Sequence, residues 1–216
     1  MIPELAVTEF LDHDSPAVRA FVAATPGESP FERALALYKA VRDGISYEVY
    51  GADLSRNGLR ASTVLGRRTG MCIHKSVLYA SALRAIGVPS RLVFTDVRNH
   101  LASPKLTELI GGDVFTYHCL TAVRLNGQWV KATPVFNRLL CKLYKIAPLE
   151  FDGTADSLHH PFDLKGRRHM EFVREHGEFA DVPYEALLSG LRAAHPGIFA
   201  TDNTFTTGSL VADATH

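Results

Sequence analysis

The 216-residue chain has no excess of charge of either sign: Lys and Arg together number 23, and so do Asp and Glu. No overall field draws it to polyanions or acidic lipids, so neither nucleic acid nor a membrane surface is an expected partner. Long apolar runs are also missing, since no stretch approaches the ~20 residues that a membrane-spanning helix needs. The start, Met1-Ile2-Pro3-Glu4-Leu5, lacks the basic region and apolar core of a secretory leader, and a cytoplasmic location is the expectation. Cysteine is scarce and odd in number: Cys72, Cys119 and Cys141. No pair has metal-like spacing, so neither a disulfide framework nor a zinc knuckle is expected, no cofactor is implied, and at least one thiol is free. Internal repeats and low-complexity tracts are absent too, which excludes solenoids and disordered linkers.

What is present suits one well-filled core and is too short for two domains of usual size. The expectation is a single domain over 1–200 with a polar, flexible tail over 201–216. Oligomeric state is not legible. Ser15-Pro16 and Ser29-Pro30-Phe31-Glu32 each place a capping hydroxyl before a proline suited to a first helical turn. The second of these helices runs to about Arg42 and stops at Gly44. Ser62 caps a short turn through Val64 and Leu65. From Cys72 to Ile86 the chain is apolar around most of its circumference and ends at Gly87 with Pro89 beyond, the pattern of a central, buried helix.

Arg91–Val97 and Val114–Leu125 are rich in β-formers and read as strands. Asn126-Gly127 carries the type I′ hairpin signal, returning the chain through Gln128 to Thr133 as an antiparallel partner. The intervening 98–113 segment reads as a surface loop with a helical turn, placed to wall a pocket. Leu139–Tyr144 and Pro183–Ala194 read as helices, and 151–166 as irregular.

Gly70-Met71-Cys72 puts a thiol in the first turn of the apolar helix. Unpaired backbone N–H groups and the helix dipole favour an anion there, so a thiolate is expected. The same N–H groups can hold the oxyanion formed when a carbonyl is attacked.

The segment from Ser62 to Arg91, with Gly70-Met71-Cys72 opening a helix that ends Leu83-Arg84-Ala85-Ile86-Gly87, resembles the nucleophile segment of the transglutaminase-like superfamily. His118-Cys119-Leu120-Thr121-Ala122-Val123 and Asn126-Gly127-Gln128-Trp129-Val130 resemble that family's histidine strand, turn and tryptophan-bearing return strand, and the distance from Cys72 to His118 is typical of it. The resemblance covers about 31–137. It implies an α+β, papain-like fold with the cysteine helix packed on an antiparallel sheet, extended here by N- and C-terminal helices, with Cys72 as nucleophile and His118 as base.

Where the family carries an aspartate followed by proline, this chain has Thr133-Pro134; Leu120 and Ala122 also depart from the family's aromatic and acidic residues. Counting outward from the Asn126-Gly127 turn pairs His118 with Val135, so Thr133 and Asn137 become diagonal neighbours on its face, with Cα atoms about 7–8 Å away. Either could orient the ring: Thr133 holds the family position, and Asn137 offers an amide oxygen as in Cys-His-Asn arrangements. A third route is a distant acid, Asp152 or Asp156. These two, with His159, His160, Asp163 and His169, form a cluster whose spacing fits no metal motif, so no metal is expected. His74 points to another side of the helix than Cys72. Tyr47, Tyr50, Asn99 and His100 are candidate substrate-pocket residues.

The resemblance implies attack of Cys72 on an amide, ester or thioester carbonyl of a peptide-like or small acyl substrate, with peptidase or amidase-type hydrolysis preferred. Transfer to an amine, as in cross-linking or amide-forming relatives, stays open, and so does a catalytically silent binding module.

Overall fold

The computed structural model describes residues 2–100, 102–158, 162–167, 169–199 and 208–214. The helices are α1 (Pro16–Ala23), α2 (Pro30–Gly44), α3 (Ala61–Arg67), α4 (Cys72–Ala85), α5 (Pro104–Ile110), α6 (Arg138–Tyr144), α7 (Tyr184–Ala194) and α8 (Leu210–Asp213). The strands are β1 (Ser46–Tyr47), β2 (Thr69–Gly70), β3 (Ser90–Asn99), β4 (Val114–Leu125), β5 (Gln128–Ala132) and β6 (Met170–Phe179). The α+β architecture expected from the sequence is present: an antiparallel sheet in the order β5-β4-β3-β6 packs on helix α4.

Helix starts follow the capping logic. Ser15 and Ser29 accept from the N–H groups of Val18 and Glu32, supplying partners for first-turn donors. Ser62 does not cap. It lies inside α3, and both its N–H and its hydroxyl donate to Asp12, which reaches in from the N-terminal segment. The central helix α4 is buried from Cys72 to Arg84, as its all-round apolar pattern requires. Its polar residues are paired: the Ser76 hydroxyl donates to Cys119 O at 2.9 Å, and Arg84 donates to carbonyls of Ala6, Ser90 and Ala180. The Thr121 hydroxyl donates to Ser76 O, so α4 and β4 are joined by a reciprocal pair beside the cysteine end.

The β4–β5 hairpin turns at Asn126 (φ 49°) and Gly127 (φ 83°), with Leu125 opposite Gln128. These are the left-handed conformations a type I′ turn demands. β5 ends at Ala132 because Pro134 has no N–H for the ladder, and Val135 N instead donates to Thr133 O. The register counted outward to Val135 and Asn137 therefore stops short: Asn137 opens α6 rather than extending a strand. Strand β6 has no counterpart in the sequence reading. It covers the β3 edge with Glu171, Arg174, Glu175 and Glu178 along a largely exposed face, and charges blunt an edge strand while hiding its alternation.

A parallel pairing of β1 with β2 sets Tyr47 opposite Gly70, two residues before Cys72. Gly70 is required there, since a Cβ would sit 2.6 Å from the Cβ of His74. Within the stretch expected to be a flexible tail, 208–214 is docked, and α8 is held by Tyr50, Tyr144, Ser103 and Lys105. Among the described residues no helix is long and apolar enough to cross a membrane.

Candidate active site

Cys72 opens α4 and is 3% exposed; His118 lies in the first half of β4 and is 6% exposed. Both line one narrow cavity of about 10 Å³, with Val49, Phe115 and His195 among its other walls, a space at the lower limit for one water molecule. Backbone N–H groups of Cys119, Ile73 and Cys72 itself approach the sulfur and pull its pKa down, but burial outweighs them and pushes it up to about 11. The expected resting thiolate is thus corrected. A buried sulfur loses more hydration than the first helical turn returns.

His118 stands where three cavities meet. The first leads to Cys72. The second, about 40 Å³, is lined by Tyr47, Asn99, Phe136, Tyr144, His169 and Leu210 among others, and shares Val49 and Phe115 with the first. The third, about 20 Å³, runs between His118 and Thr133. Thr133 is therefore near the histidine, as its family position implies, but among the described residues its buried hydroxyl has no hydrogen-bond partner. Asn137 is engaged elsewhere: its Oδ1 accepts from Tyr47 N at 3.3 Å, and it lines none of the three cavities.

The pocket candidates divide in the same way. Tyr47 and Asn99 line the second cavity. The Tyr47 hydroxyl is held well above its ordinary pKa by burial, then by the Cys72 sulfur and Glu48, so it stays a neutral phenol beside the thiol. Tyr50 turns away to donate to Asp213 at 2.6 Å, and His100 faces Glu171 at 3.5 Å. From the Asp-rich segment Leu158 and His169 line cavities that His118 also lines, whereas its described aspartates are engaged elsewhere. Asp152 binds Thr154, Asp156 accepts from Lys131 N on the β5 edge, and Asp163 closes its own turn with Arg167. His159 and His160 lie outside the described residues, and among those described no group of three or more His, Cys, Asp or Glu side chains is placed to hold a metal.

Sequence reasoning missed the bulge that precedes His118 in β4. Thr95 faces His118 and Val97 faces Phe115, so Asp96 alone opposes Thr116 and Tyr117 in a β-bulge. Tyr117 takes φ +58° there, an uncommon, mildly strained conformation for an aromatic residue. Three contacts hold it. Asp96 Oδ1 accepts from Tyr117 N at 3.1 Å and from His176 Nε2 at 2.6 Å, and the His176 ring stacks on Tyr117 at 4.1 Å. Gly190 of α7 leaves room for the Tyr117 ring, which an added Cβ would meet at 2.2 Å. His195 Nε2 accepts from Thr116 N while Nδ1 donates to Ile110 O. No local signal marks this bulge, because its partners come from β3, β6 and α7. The pocket walls Leu140 and Tyr144 share a face of α6 at a spacing of four, a signal that could have found them.

The profile of the Transglutaminase-like superfamily matches residues 19–134. Among solved structures the chain is similar to a candidate cysteine protease from Cytophaga hutchinsonii, at 18% identity and a TM-score of 0.47, covering 62% of this chain and 41% of that one. It is also similar to a candidate protease from Parabacteroides distasonis, at 14% identity and a TM-score of 0.39, covering 61% of this chain and 26% of that one. The chain thus spans less than half the length of either. No curated protein matches it.

Proposed function

Because the chain belongs to the transglutaminase-like superfamily, we propose that it is a cysteine-dependent acyl-transfer enzyme with Cys72 as nucleophile and His118 as base. The supporting observation is the narrow cavity that both side chains line at the start of the buried helix. A thiol with its pKa near 11 is protonated at neutral pH, so its proton leaves during attack instead of before it. Sγ forms a bond to the substrate carbonyl carbon, the thiol proton passes to His118, and the carbonyl oxygen becomes an oxyanion beside the N–H groups of the first helical turn. The carbonyl re-forms as the bond to the leaving amine or alkoxide breaks, and His118 returns the proton to that group. Water then attacks the thioester with His118 as base, releasing the acid and restoring the thiol. Hydrolysis of a peptide-like amide is the preferred reaction; transfer to an amine differs only in the last nucleophile.

The unpartnered hydroxyl at Thr133 favours a second reading, a silent binding module, since no acid stands at the family position to orient the base. Single-turnover acylation by a 4-nitrophenyl ester separates the two. The enzyme reading expects one equivalent of nitrophenolate per chain, abolished in Cys72→Ala and slowed at least 100-fold in His118→Ala. A burst that survives Cys72→Ala, or a rate indifferent to His118→Ala, would sink it.

A further inference from the structure

Beside His118 the fold has a pocket that is already filled. Its walls are mainly aromatic and aliphatic, from Tyr47, Val49, Phe115, Phe136, Leu140 and Tyr144, with Asn99, His118 and His169 as polar side chains, and Leu210 of α8 closes it with only 3% of its own surface exposed. About 40 Å³ remains open, far below the roughly 300–1,000 Å³ of a small-molecule site. An acyl group that enters from this side has to take the place of Leu210. Removing a buried leucine side chain opens a cavity on the order of 150 Å³, enough for a benzene-sized group.

Leu210 sits on the element best suited to yield. Helix α8 has four residues, too few to be stable without tertiary contacts. Its anchors are polar and lie at the pocket rim. Leu210 N donates to Glu48 Oε2 at 3.0 Å, Tyr144 donates to Leu210 O at 3.2 Å, and Asp213 accepts from Tyr50 and faces Lys105. The chain also crosses Tyr50 closely: a Cβ on Gly208 would lie 2.7 Å from that ring. The walls that remain when α8 lifts include residues of β1, β3, β4, β6, α5 and α6, and Val49 and Phe115 among the lining also wall the cavity of Cys72 and His118.

We propose that this pocket is the acyl-side specificity site, that it takes a branched aliphatic or aromatic side chain, and that Leu210 is its resident occupant, displaced when substrate binds. The assignment rests on the acyl-transfer reading for its role but not for its binding chemistry. A pocket of this mainly apolar lining distinguishes apolar groups by size, roughly tenfold or more per methylene.

The test measures binding by ligand-observed NMR with N-acetyl-leucinamide and N-acetyl-glycinamide on the full chain. Leu210→Ala is expected to bind the leucine amide at least tenfold more tightly than the unaltered protein and to prefer it at least tenfold over the glycine amide. Asp213→Asn keeps Leu210 and weakens its anchor, so it should move affinity in the same direction, and it serves where Leu210→Ala does not fold. Equal affinity in the unaltered protein and the folded variants, or equal affinity for the two amides, would overturn the proposal. Because binding is read without chemistry, discrimination without any acylation burst leaves the pocket standing and removes the acyl-transfer reading. A burst without discrimination does the reverse.

Discussion

Lys75 is fully buried one turn after Cys72, and its ammonium donates to Arg42 O at 2.8 Å and Ile45 O at 2.6 Å, at the C-terminal end of α2. Burial lowers its pKa from 10.5 to about 7, with Asp43 and Cys141 opposing the fall and Arg42 adding to it. Below pH 7 folded and unfolded chains both hold the proton, and the cost of burying the charge is fully present. Between pH 7 and 10.5 the unfolded chain binds a proton that the folded chain has released, so this group makes stability rise with pH. At 1.36 kcal/mol per pH unit the rise amounts to roughly 5 kcal/mol. Lys75→Met removes it and leaves two carbonyls short of a donor, a pH-independent loss of about 1–3 kcal/mol. Urea unfolding followed by circular dichroism from pH 6 to 10.5 should therefore show the variant more stable at pH 6 by about 2–4 kcal/mol and less stable at pH 10.5, the curves crossing near about pH 9. Cys72 and Cys141, both pushed up to about 11 by burial, act in the opposite sense, Cys72 equally in both proteins and Cys141 more strongly in the variant, which lacks the Lys75 charge that lowers it. Parallel curves for the two proteins would refute the reasoning.

His74 is buried and lowered to about 4 by desolvation, so the unfolded chain takes up a proton first and stability should fall as pH drops from 6.5 to 4; His74→Leu should flatten that fall in the same urea series. Gly190→Ala gains about 1 kcal/mol of helix propensity, yet its Cβ strikes a Tyr117 ring hemmed in by His176 and Phe94. A net loss of about 1–2 kcal/mol in thermal unfolding is expected from overpacking, and a gain would show that the ring is free to retreat. Thr133→Asp places a carboxylate in the cavity beside His118 and should raise the rate of Cys72 alkylation by iodoacetamide at pH 7 at least tenfold. An unchanged rate would mean that the family position no longer serves the histidine.

Local chemistry made most elements readable. Ser-Pro caps, the Asn126-Gly127 turn and the all-round apolar run after Cys72 act within a few residues, so α1, α2, the hairpin and α4 follow from them directly. The two candidate side chains, Cys72 and His118, could be picked out for the same reason, since a glycine, a thiol and a helix start are adjacent in the chain, and the histidine strand is marked by its own hairpin. Strand β6 was not, because an edge strand covered in charge has neither the alternation nor the apolar run of a buried one.

The sequence by itself determined the fold class, the buried helix and the pair of residues on which an acyl-transfer chemistry would rest. Only the tertiary structure decided their state. Burial pushes the Cys72 pKa up to about 11, and that desolvation depends on neighbours far away in the chain. Proline ends β5 before Asn137 can extend the strand beside His118, and Asp96, His176, Gly190 and His195, from β3, β6, α7 and the residue that caps α7, hold the bulge that precedes it. Leu210, in a stretch whose composition reads as tail, is placed in the pocket by rim contacts that no sequence period encodes.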